Sequence, residues 1–143
     1  MYITLKESHN VLGMIVLFAL FLIVLFLLVS FLRKRPFGKS SKIVSLMGLV
    51  LVHLQLTVGV ILYFLSPLGM NNFSADSMTH TISRFYMVEH PIGMILAGLL
   101  ITLGYRACKK ENLNSQSIYK RVLIYYTLGI VIISYLIPWF LWN

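Results

Sequence analysis

The sequence is poor in the residues on which most soluble enzymes depend. Its 143 residues include 12 Lys and Arg, four Asp and Glu, four Pro and a single cysteine, Cys108. One thiol excludes an intramolecular disulfide, covalent attachment of a c-type haem and a thiolate-bound iron–sulfur cluster. The Gly-x-Ser-x-Gly and His-Glu-x-x-His motifs do not occur, and no glycine-rich phosphate loop precedes a lysine. Hydrolytic chemistry therefore has little support, and whether the protein is an enzyme stays open.

Hydrophobic residues make up 59% of the chain and are concentrated in four long runs. Each run approaches the roughly 20 residues that an α-helix needs to cross a bilayer. The runs are Val11–Leu32, Ile43–Leu65, Phe85–Leu103 and Val122–Trp142. The short loops between them predict an all-α, integral membrane, up-down-up-down four-helix bundle, with residues 1–143 forming one domain in the lipid bilayer. The first run is expected to be a retained span, because Arg33-Lys34-Arg35 follows it where a signal peptide has small residues.

The formal net charge of +8 is concentrated in two loops. The loop between the first two runs contains Arg33, Lys34, Arg35, Lys39 and Lys42, and the loop between the last two contains Arg106, Lys109, Lys110, Lys120 and Arg121. The positive-inside bias predicts that both loops are cytoplasmic and both termini lie outside the cytoplasm. Topology and anionic lipid headgroups explain these clusters, so nucleic acid is not expected as a partner.

Two histidines lie inside apolar runs, where a polar ring needs a partner because water does not solvate it. Counted from the outer ends of the runs, His90 lies roughly 8 Å deep and His53 roughly 18 Å deep, while His9 lies at the surface. A single intramembrane histidine is often a packing residue that bonds to a facing helix. Three at one end of a bundle favour a bound cofactor, since imidazole is a good ligand for haem iron and other metals. His80 is expected to be a solvated loop residue.

The neighbours of His90 are also unusual for a membrane span. Glu89 is the only acidic residue within a run, and Pro91 removes a helix hydrogen bond beside it. Glu89 is a candidate metal ligand or proton carrier. Arg84, at the mouth of the same helix, is expected to pair either with an anionic group such as a haem propionate or with lipid headgroups.

Three segments resemble those of small four-span bacterial membrane proteins that are labelled cytochrome-b-like. They are Ser8-His9-Asn10, His53-Leu54-Gln55-Leu56 with Gly59 and Tyr63, and Arg84-Phe85-Tyr86-Met87-Val88-Glu89-His90-Pro91. The resemblance implies a multi-pass protein of the bacterial inner membrane that binds haem b through His9, His53 or His90. It also implies electron transfer, with quinol as a possible electron donor.

The ligand pair and the cofactor stay open at this point. His53 with His90 and His9 with His90 are both candidate haem ligand pairs. The alternatives to haem are a quinone site, or a copper or zinc site built from the three imidazoles and Glu89, with a thioether from Met87 or Met94 for Cu(I). A further alternative is a non-catalytic subunit that docks on a larger membrane complex.

Overall fold

The structure, a computed structural model, describes residues 1–110 and 112–139 and is all-helical in that part of the chain. Three of its helices are long, and a fourth long segment is assembled from shorter pieces. The helices are α1 (Tyr2–Leu32), α2 (Lys39–Leu65), α3 (Ala75–Thr79), α4 (Thr81–Arg84), α5 (His90–Ala107) and α6 (Ser115–Tyr135). A 3₁₀ turn, Met70–Asn72, follows α2, and a π-helical turn, Phe85–Glu89, joins α4 to α5.

Four segments of the described chain are long and apolar enough to cross a membrane, as the apolar runs predict. The segments are Tyr2–Leu32, Lys39–Asn72, Thr81–Ala107 and Ser115–Leu136, and an 18-residue stretch within each has a mean hydropathy of 3.4, 2.1, 1.6 and 1.3. The first helix begins at Tyr2 rather than at Val11. An apolar run marks only the part of a helix that fits hydrocarbon, whereas the helical backbone continues through polar residues such as Lys6 and His9.

The last helix is shifted relative to the predicted run Val122–Trp142. It starts at Ser115, because the Asn114 side chain caps it by accepting a hydrogen bond from the Ser117 N–H at 2.9 Å. It ends at Tyr135, shortly before Pro138, which disfavours helical geometry at the preceding residue. The last four residues, including Trp142, lie outside the described part of the chain.

The four long segments pack in a cyclic order. Helix α1 packs against α2 and α6, and α5 packs against the same two helices, so α1 and α5 are diagonal partners. The start of α1 lies beside the end of α2, where the Tyr2 hydroxyl is 3.2 Å from Ser66 Oγ. Two buried tyrosines of α6 tie it to α2 through polar contacts, since Tyr119 Oη lies 2.7 Å from Ser41 Oγ and the Tyr126 hydroxyl donates to the Ser45 carbonyl.

The outer surface of these segments is apolar. One large exposed side chain from each of them illustrates this: Phe18, Leu54, Leu99 and Ile124 all have more than half of their surface exposed. The fully buried side chains include Leu20, Leu27, Ile101 and Val122. A helix bundle that is apolar both inside and outside matches a hydrocarbon environment better than water.

We predict that Gly48→Val destabilises the fold by about 1–3 kcal/mol through overpacking. A Cβ at Gly48 would lie 2.8 Å from Tyr126 Cε1 and 3.3 Å from Leu20 Cδ2, and the Tyr126 ring is held by its bond to Ser45. Unfolding of the purified protein in a detergent denaturation series measures the change. Met47→Val introduces the same side chain at an exposed neighbouring position and is expected to shift stability by less than about 0.5 kcal/mol. Equal destabilisation by both variants would contradict the packing at Gly48.

Candidate functional site

A break in the helical hydrogen-bond pattern positions His90. The His90 N–H bonds to the Phe85 carbonyl, five residues earlier, so the turn that precedes it is π-helical. Pro91 follows and has no N–H to offer the Met87 carbonyl four residues before it. The Tyr63 hydroxyl of α2 donates to that carbonyl instead, at 3.1 Å. The proline and the tyrosine together therefore fix the backbone on which His90 is placed.

The His90 ring contacts the C-terminal end of the neighbouring helix α6. Its Nδ1 lies 2.9 Å from the carbonyl oxygen of Leu136, the C-cap residue of α6. A carbonyl only accepts, so Nδ1 carries the proton and donates it. The lone pair is then on Nε2, in the tautomer that binds a metal. Terminal helix carbonyls lack intrahelical partners, so this contact also serves the Leu136 carbonyl.

The His9 side chain lies in a small polar cluster between α1 and α2. Gln55 Nε2 donates to the His9 carbonyl at 2.8 Å and lies 3.2 Å from His9 Nδ1. Two glycines leave room for this arrangement: a Cβ at Gly59 would be 3.1 Å from His9 Cε1, and one at Gly13 would be 2.9 Å from Gln55 Nε2. Gln55 Oε1 is buried and has no hydrogen-bond partner in the described part of the protein.

The structure brings His9 and His90 together. Their ring centroids are 6.4 Å apart, with an interplanar angle of 72°. Counting from the apolar runs places His9 at the surface. In the structure α1 begins at Tyr2, so His9 lies roughly 10 Å from the start of that helix. The two rings meet edge to face across the diagonal of the bundle, in a partly buried environment.

His53 is not part of this cluster. Its side chain is exposed, and its Nδ1 lies 2.8 Å from the Leu49 carbonyl of its own helix. Its Nε2 is 3.4 Å from Thr102 Oγ1 on α5, and the Thr102 hydroxyl itself donates to the Gly98 carbonyl. His53 thus lies on the outer surface between α2 and α5 rather than in the interior of the bundle.

The charged candidates pair with each other. Arg84 Nε donates to Glu89 Oε1 at 2.8 Å, and their side chains are 43% and 42% exposed. His80 is exposed and lies 3.7 Å from Asp76, in agreement with its expected place in a solvated loop. The alternative set of three imidazoles and Glu89 is not assembled, because His53 lies apart from His9 and His90 and Glu89 pairs with Arg84. Within residues 1–110 and 112–139, no group of three or more His, Cys, Asp or Glu side chains could hold a metal ion.

Two residues that support the site were not predicted. The role of Tyr63 follows from the missing N–H of Pro91, and a hydroxyl in an apolar run is the only sequence signal for it. Leu136 contributes its backbone carbonyl, and the identity of its side chain gives no indication of that role.

Comparison with known proteins gives no match, whether with protein-family models, with curated proteins or with solved structures. The resemblance to cytochrome-b-like proteins therefore rests on the segments around His9, His53 and His90. Function has to be argued from the geometry of the site.

The meeting of His9 and His90 predicts that thiols at these positions cross-link. In a Cys108→Ser background, His9→Cys/His90→Cys should be bridged by dibromobimane, which links only thiols that lie close together. The product is detected by intact-mass spectrometry. His53→Cys/His90→Cys is the matched control and should remain unbridged, because His53 lies on the outer surface. Bridging of both pairs to the same extent would contradict the geometry.

Proposed function

We propose that this protein is a membrane electron-transfer protein of the b-type cytochrome class, with one haem b held between His9 and His90. The proposal includes an up-down-up-down bundle in the bacterial inner membrane, with both termini outside the cytoplasm. Four apolar segments and an apolar outer surface support insertion in a membrane. The two basic loops support the orientation.

The separation of the two imidazoles is the observation on which the proposal depends. A metal–imidazole bond is about 2 Å long, so two imidazoles on one metal ion have ring centroids roughly 6 Å apart. The centroids of His9 and His90 are 6.4 Å apart. His9 and His90 would therefore be the residues that hold a haem iron. His53 is less suitable, because it is exposed on the outer surface between α2 and α5.

The number of donors favours haem over a bare copper or zinc ion. Protein zinc sites have three or four protein ligands, whereas a haem iron takes most of its ligands from the porphyrin and would need at most two from the protein. The described residues offer a pair of imidazoles and no group of three or more His, Cys, Asp or Glu. A pair is enough for haem.

The surrounding residues would orient the ligands and bind the cofactor. The Leu136 carbonyl holds the His90 ring and directs Nε2 away from α6, and Gln55 holds the backbone and ring of His9. Arg84 bonds Glu89 through Nε, which leaves its terminal nitrogens for an anionic group such as a propionate. A bound haem would supply reversible one-electron chemistry. The chain would keep that iron dry and near the outer end of the bundle, within reach of quinol or a redox partner.

Replacing either proposed ligand should remove the haem. In protein purified from haem-replete cells, we expect a low-spin reduced-minus-oxidised haem spectrum. His9→Ala and His90→Ala should each lower haem occupancy by about tenfold or more. Haem is quantified after extraction, with helix content checked by circular dichroism. His53→Ala and His80→Ala are the controls and should keep both occupancy and spectrum. A colourless wild-type protein, or His90→Ala with an unchanged spectrum, would refute the proposal.

A second candidate function, as an accessory subunit of a larger membrane complex, is favoured by the position of His53. Ionisable side chains in membrane spans seldom face lipid, and His53 and Thr57 are exposed on α2. A partner protein would cover them. We expect His53→Leu to lose a co-purifying partner while it retains haem, as judged by mild-detergent affinity purification. Thr102→Val, beside His53 on α5, tests the same surface. A wild-type protein that purifies alone would count against this role.

A further inference from the structure

A basic cavity lies between α5 and α6, at the end of the bundle opposite to His9 and His90. Its volume is about 140 Å³. It is lined by Leu103, Arg106, Ala107, Lys110, Arg121 and Tyr125. Half of these side chains are cationic, and they come from the last turn of α5, the residues after it and the start of α6.

The three cations of this cavity lack counter-charges in the described structure. The ion pairs found in residues 1–110 and 112–139 join His80 to Asp76 and Arg84 to Glu89, near the other end of the chain's spans. Glu111 is the acidic residue nearest in sequence and lies outside the described residues. Like charges around one cavity repel, and an anion bound between them reverses that unfavourable energy.

The remaining wall of the cavity is apolar and belongs to the membrane spans. Leu103 and Ala107 lie on α5, and Tyr125 lies on α6, one helical turn after Arg121. The site has cations at the end of the helices and an apolar wall toward the bilayer. This combination matches an anion that also carries an apolar part. Guanidinium groups bind phosphate oxygens in a bidentate manner.

We propose that this cavity binds the phosphate ester group of an anionic phospholipid. Liquid water occupies about 30 Å³ per molecule, so a cavity of about 140 Å³ has the volume of between four and five water molecules. The five heavy atoms of a phosphoryl group are bonded to one another and take up less space than five separate waters, so they fit. Arg106, Lys110 and Arg121 contact the phosphate oxygens, and the acyl chains follow the apolar surface of α5 and α6. The proposal rests on membrane insertion and is independent of haem.

Lipid titration of the full chain tests the site. The protein is delipidated in non-ionic detergent and titrated with phosphatidylglycerol or phosphatidylcholine, and bound lipid is counted by native mass spectrometry. We expect one phosphatidylglycerol to bind more tightly than phosphatidylcholine. Arg106→Gln/Arg121→Gln should weaken that binding about 30-fold. The single variants, each with a smaller loss, keep the test valid if the double variant folds poorly.

The matched control removes two positive charges from the same end of α5 and α6. Lys109 and Lys120 do not line the cavity, and Lys109→Gln/Lys120→Gln should weaken binding less than about twofold. Equal weakening by both double variants would indicate diffuse attraction and overturn the site, as would an unaffected Arg106→Gln/Arg121→Gln variant. If inorganic phosphate binds the wild type but not the Arg106→Gln/Arg121→Gln variant, the cavity is a phosphoryl site. Such binding without any preference for phosphatidylglycerol would assign the site to a soluble ligand and overturn the lipid proposal. Haem content, measured on the same samples, separates this result from the fate of the proposed function.

Discussion

Polar groups inside an apolar bundle have no water to bond with, so each must find a partner within the protein. This constraint places the histidines. Pro91 leaves the Met87 carbonyl without its helical donor, and Tyr63 supplies one from α2. The Leu136 carbonyl ends α6 and is bonded by His90. Each contact compensates for a broken helix hydrogen bond, and together they link α2, α5 and α6 around one imidazole.

The two ends of the bundle differ in what their polar groups do. At the basic end, the hydroxyls of Tyr119 and Tyr126 contact Ser41 and the Ser45 carbonyl, and these contacts are buried. They connect side chains and backbone within the bundle and leave no candidate ligand. At the opposite end, the rings of His9 and His90 lie 6.4 Å apart on the diagonal partners α1 and α5. The tyrosine contacts of the basic end therefore hold the helices together, whereas the proposed haem ligands lie at the opposite end.

The apolar runs predict the number of long segments, because hydrophobicity and length alone define them. They do not predict where the helices end. Lys6 and His9 extend α1 beyond its apolar part, and the cap at Asn114 begins α6 early. The meeting of His9 and His90 also could not be predicted from sequence. It depends on the diagonal packing of α1 and α5 and on the π-helical turn, and neither leaves a periodic pattern in the residues.

The buried oxygen of Gln55 is an energetic cost of the polar cluster around His9. Gln55 Nε2 is engaged by His9, which orients Oε1 into the interior without a donor among the described residues. An unpaired buried acceptor costs about 1–3 kcal/mol. A side chain that only filled space would be replaced by leucine at no such cost. Gln55 instead holds a histidine whose ring faces another histidine 6.4 Å away, with glycines at positions 13 and 59 making room. The cluster therefore costs stability and fixes the position of His9 rather than filling space, which supports the proposed role of His9 as a ligand.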